Sequence, residues 1–128
     1  MEPKNITFNT EKSFEEAMKV VKNFLEQKKI GIFAEIDHSK NARDVSFNIE
    51  NNRLIIFGNP LVGTYILMEN GEAGIDLPLK ILLWSKNGKT IITHPDPEAL
   101  KIKYNLNDQN HALEKIETLY RGIRDALS

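Results

Sequence analysis

The chain has 128 residues, 41% apolar and 27% charged, and no Cys, which excludes disulfides, thiolate metal sites and cysteine nucleophiles. Seventeen Lys and Arg against eighteen Asp and Glu leave a formal charge of −1, so no general field attracts nucleic acid or anionic lipid. Apolar runs reach four residues, as in Leu54–Phe57 and Ile81–Trp84, far short of a membrane span, and no apolar segment follows Lys4 as a secretory signal requires. Length predicts one domain over residues 1–128, and the default location is the cytoplasm.

A short strand is predicted around Ile6–Phe8. Ser13 and Glu16 read as a capping box, and Phe14, Ala17, Met18, Val21, Phe24 and Leu25 form one face of a helix running to about Lys28. Lys28-Lys29 reads as its solvated terminus. Ile30–Ile36 alternates as a strand, and Asp37 and Ser39 cap a short helix through Val45. Arg53–Phe57 is a third strand, stopped by Gly58-Asn59-Pro60. Asn59 caps and Pro60 opens a helix over about Leu61–Glu69, which Asn70-Gly71 ends. Leu79–Ser85 and Thr90–His94 are strands around a tight Asn87-Gly88 turn. Asp96-Pro97 opens a short helix. Leu113, Ile116, Tyr120, Ile123 and Leu127 stripe a last, long one.

This order predicts an α+β fold, with a mainly antiparallel sheet of about five strands packed by two long helices. Neither a dinucleotide-binding nor a P-loop glycine pattern occurs, and no G-x-S-x-G elbow presents a serine. His38, His94 and His111 lack metal-site spacing, so no metal is expected and no cofactor is named. Met68 and Trp84 read as core.

Four polar clusters fall at strand ends: Asp37-His38-Ser39, Gly58-Asn59-Pro60, Asp76-Leu77-Pro78 and His94-Pro95-Asp96-Pro97. Ala34–His38 with Asn41-Ala42, Phe57–Pro60 with Gly63-Thr64 and Leu67-Met68, Ala73–Trp84, and Asp96-Pro97 together resemble the bacterial and archaeal family known as domain of unknown function 302. The resemblance covers most of the chain and implies a TATA-binding-protein-like β-α-β(4)-α arrangement. It implies no activity. His94 stands where that family usually has Tyr, so its imidazole either orients a ligand or packs.

The candidate ligand-binding residues are Asp37, His38, Gly58, Asn59, Asp76 and His94, each with a plain structural role beside the functional one. Asp37, Asn59 and Asp96 are good helix caps, and Asp76 closes a turn before Pro78. Three readings follow. The favoured one is a small-molecule or anion-binding module with a pocket at the strand ends. The second is an enzyme with His38 as general acid or base and the helix start at Asn59 as anion hole. The third is a homodimer joined through a sheet edge or an apolar helix face.

Overall fold

A computed structural model describes residues 4–128. Chain order is β1 (Asn5–Thr10), α1 (Phe14–Gln27), β2 (Gly31–Asp37), α2 (His38–Asp44), β3 (Asn52–Gly58), α3 (Pro60–Glu69), a 3-10 turn (Gly71–Ile75), β4 (Leu79–Lys86), β5 (Lys89–Pro95), α4 (Pro97–Tyr104) and α5 (Asn110–Ala126). The strands form one sheet in the order β1-β5-β4-β3-β2, antiparallel at every pairing. The α+β architecture expected from the sequence is the one observed.

Side-chain alternation gives the sheet two unlike faces. Ile55 and Phe57 of β3, Ile81 and Leu83 of β4, and Ile92 of β5 are fully buried. They share a core with Val21 and Leu25 of α1 and Ile123 of α5. Leu54, Ile56, Leu82, Trp84 and Ile91 occupy the alternate positions and stay partly exposed. Truncating a core residue such as Leu25 to Ala costs about 2–5 kcal/mol, because lost transfer energy and a residual cavity add.

Local chemistry sets the element boundaries. The Ser13 Oγ accepts from the Glu16 amide at 3.2 Å, capping α1. The reciprocal arm differs from a full capping box, since the Glu16 carboxylate accepts from the Ser13 hydroxyl at 3.4 Å. Asn87 and Gly88 both take positive φ, 53° and 78°, as a type I′ hairpin turn requires. Helix α3 stops without a left-handed glycine: Asn70 is extended, and its Oδ1 accepts from the Glu72 amide to start the 3-10 turn.

Two core assignments are corrected. Met68 is 77% exposed on α3. Trp84 lies on the partly exposed sheet face, its indole N–H donating to Thr93 Oγ1 at 3.1 Å. Among the described residues, no helix is long and apolar enough to cross a membrane.

Candidate functional site

Antiparallel pairing decides which polar clusters can meet. Gly31 pairs with Gly58 and Asp37 with Arg53, while Phe57 pairs with Leu79. Gly58-Asn59, Asp76-Leu77-Pro78 and His94–Asp96 therefore gather at one end of the sheet. Asp37-His38 lies at the other end, about 20 Å away at the usual rise per strand residue. The pairing of His38 with a helix start at Asn59 is thereby overturned, because proton transfer and anion stabilisation must act within hydrogen-bond reach of one substrate. His38 itself is exposed on the first turn of α2.

Asp37 is occupied structurally. Its Oδ1 accepts from the Ser39 hydroxyl at 2.6 Å and the Lys40 amide at 2.9 Å, and Arg53 reaches Oδ2 at 3.3 Å. These donors, Ser39 foremost, hold its carboxyl below the usual range. Arg53 also approaches Glu35 at 3.7 Å and lies over the Phe14 ring. A charged cluster thus ties β2, β3 and α1 together.

Asp76 is likewise engaged. It accepts from the Tyr104 hydroxyl and from Lys103 Nζ at 3.0 Å, which hold its carboxyl below the ordinary value. This joins the 3-10 turn to α4. The carboxylate lines a small cleft of about 180 Å³ beside Asp96, Lys103 and Tyr120.

His94 packs. It is 5% exposed, stacks on Tyr120 and meets the edge of Phe8. Its Nδ1 lies 2.8 Å from the Pro95 carbonyl; since that oxygen can only accept, the neutral ring carries its proton on Nδ1. Burial pushes the imidazole below its ordinary pKa. His94 lines neither cavity, so the packing alternative accounts for its environment.

Gly58 and Asn59 border a much larger cavity of about 690 Å³. Its walls come from Phe24 of α1 and Lys28 just past its end, Phe33 of β2, Val62, Gly63, Thr64 and Leu67 of α3, Leu77 to Leu79, and Lys115, Ile116, Leu119 and Gly122 of α5. This size lies within the ~300–1,000 Å³ of small-molecule sites, and the lining is mainly apolar, as such sites usually are. Phe33 and Leu67 on the wall are 55% and 38% exposed. Helix α3 is pinned at both ends. Asn59 Oδ1 accepts from the Leu61 amide at 3.0 Å, while the Glu69 carboxylate takes the Asn107 amide at 3.0 Å. The side chain of Asn59 therefore spends its acceptor on its own helix, as an ordinary cap does.

Glycines make part of this cavity. A Cβ on Gly122 would lie 2.5 Å from Phe24 Cζ, whereas one on Gly63 would meet nothing within 4 Å. Residues Lys28, Phe33, Gly63, Gly74, Lys115 and Gly122 were not among the candidates drawn from strand ends. Gly63 and Gly122 carried a signal, since glycine inside a helix costs about 1 kcal/mol relative to Ala and invites a packing reason.

The structure is similar to the crystal structure of an uncharacterized conserved DUF302 protein from Bacillus stearothermophilus, with a TM-score of 0.85, 20% identity, and coverage of 97% of this chain and 98% of that one. At that identity the likeness establishes the fold alone. The sequence is also similar to fluoride-specific ion channel FluC 1 of Brucella suis biovar 1 and FluC 2 of Brucella melitensis biotype 1. Each is 33% identical over 78 residues, 60% of this chain. The match spans only 31% and 29% of those relatives' lengths, so their channel activity is a property of much longer proteins. The model of the family described as domain of unknown function DUF302 matches residues 6–126, and the chain belongs to that family.

Proposed function

We propose that this protein is a small-molecule-binding module whose ligand occupies the cavity between α3 and the α1–α5 layer. The observation that carries the reading is the 690 Å³ apolar cavity, bordered by Gly58 and Asn59 and walled by three helices. The ligand residues narrow accordingly. Gly58 and Asn59 stay, Asp37, Asp76 and His94 serve the scaffold, and His38 lies exposed at the far end of the sheet. A single-domain chain in the cytoplasm accompanies this proposal.

The test uses N-phenyl-1-naphthylamine, a neutral probe that brightens in apolar surroundings. Saturable binding is expected for the native protein. Gly63→Leu should abolish it while preserving the fold, because a Cβ there meets nothing within 4 Å and leucine favours helix over glycine. Unsaturable fluorescence, or equal binding by the variant, would overturn the proposal.

A homodimer is compatible with this module, and one observation favours it. Leu54, Ile56, Leu82, Trp84 and Ile91 share a partly exposed sheet face, and Val45, Phe47 and Ile49 are exposed. Five strands at ~4.8 Å spacing and ~20 Å length give about 480 Å² per copy, so the Val45–Ile49 segment must supply the rest of a standard ~800 Å² contact. Light scattering should find a dimer that Phe47→Ser weakens; a monomer at all concentrations would remove this reading.

A further inference from the structure

We propose that the cavity takes a single-chain hydrocarbon bearing an anionic head, with the tail against the apolar walls and the head met by Lys28 and Lys115. This rests on the binding reading above and narrows its ligand class.

The charge of the lining carries the inference. Lys28 and Lys115 belong to the wall, and among the described residues no Asp or Glu does. Neither lysine takes part in a salt bridge among the described residues. A protein with nearly equal numbers of acids and bases therefore presents, among the described residues, two cations and no anion around this apolar cavity.

Topology places both charges at the same end of the helix layer. Helix α1 follows β1 at Thr10 and reaches Lys28 just before Gly31, which pairs with Gly58. Helix α5 runs the opposite way, since Thr10 Oγ1 donates to the carbonyl of Leu127 at 2.6 Å beyond its C-terminus. Lys115, near the start of α5, is thus at the Gly58 end with Lys28. The start of α3, with its positive dipole, follows Gly58 directly.

Desolvation then selects the ligand. An ion driven wholly into apolar surroundings loses its hydration without compensation, so a compact anion gains little here. A cation would meet two like charges. An amphiphile avoids both costs, because its tail replaces water against Phe24, Phe33 and Leu119 while its head stays at the exposed lysines. Lys28 is already poised at the apolar boundary, its Nζ 5.7 Å from the centroid of the Phe24 ring.

The experiment is calorimetric titration with three probes: decanoate and decyltrimethylammonium below their micelle concentrations, and 1-decanol below its solubility limit. Decanoate should bind at least about tenfold tighter than decanol, and decyltrimethylammonium weakest. Lys28→Gln with Lys115→Gln should narrow the preference for decanoate over decanol to within about twofold, as should raising NaCl from about 0.02 to about 0.5 M. Circular dichroism checks the variant's fold, and Lys115→Glu alone should shift the preference in the same direction. If decanol binds as tightly as decanoate, or the lysine variants leave the preference intact, the anionic class is wrong while the cavity reading stands. If none of the three binds, both fall together.

Discussion

His94 and Tyr120 lie face to face, ring centroids 3.9 Å apart and planes 3° from parallel. The Tyr120 hydroxyl donates to the Lys80 carbonyl at 2.9 Å, so the pair couples β5, α5 and β4. Burial lowers the imidazole's pKa and so favours its neutral form, with Arg124 acting in the same sense and the Pro95 carbonyl and Asp96 opposing.

This environment predicts a pH dependence. The unfolded chain binds a proton at His94 near the ordinary value of 6.5, while the folded protein resists it. The contribution is complete above that value and is lost as pH falls through the depressed folded value. His94→Phe keeps an aromatic ring without the titration. Its deficit in melting temperature against the native protein should shrink between about pH 7.5 and about pH 5.5. A constant or growing deficit would contradict neutral burial.

Gly122 and Phe24 should be energetically coupled. Gly122→Ala gains about 1 kcal/mol of helix propensity, but its methyl displaces the Phe24 ring at an overpacking cost of about 1–3 kcal/mol. The single variant should be neutral to slightly destabilised. With Phe24→Leu already present, the same change should stabilise by about 1 kcal/mol. Urea denaturation of the four proteins measures the coupling, and additivity would show that the ring yields freely.

Tyr104→Phe removes the hydroxyl that donates to Asp76. Asp76 keeps Lys103 and remains partly exposed, so a small loss is expected by chemical denaturation. Because its donors lower the Asp76 pKa, that stability is present above the ordinary carboxyl value of 3.8 and is lost as pH falls through the lower folded value. The difference between native protein and variant should therefore narrow in acid. A difference that widens there would assign the carboxylate's low pKa to other groups.

Arg53 bridges Glu35 and Asp37 with most of its side chain removed from water. Arg53→Met leaves two carboxylates without their shared cation and should cost about 1.5–3 kcal/mol. Arg53→Lys should recover less than half of that, since one ammonium lacks the planar fork that serves two acceptors. Full recovery would mean that charge alone matters at this position.

Most elements were legible because their signals are local. The helical stripe from Phe14 to Leu25, the Asn87-Gly88 turn, and the caps Asp37, Asn59 and Asp96 all act within a few residues. The candidate site was only partly legible because it depends on strand direction. His38 and Asn59 both follow a strand, but β2 and β3 are antiparallel neighbours, so their following residues leave from opposite ends. The cavity was hidden for a related reason. Gly63 and Gly122 lie 59 residues apart, and only the packing of α3 and α5 around one space gives them a shared meaning.

Among the described residues, strand β1 joins the sheet only along β5, with Asn5 opposite Pro95. During synthesis β2 to β5 can pair as successive neighbours, whereas β1, among the described residues, finds its sheet partner only in β5. It must wait until some eighty further residues are made, whereupon its arrival turns β5 from a rim into an interior strand. Docking of β1 thus moves that margin of the sheet outward, from β5 to β1 itself, and does so late.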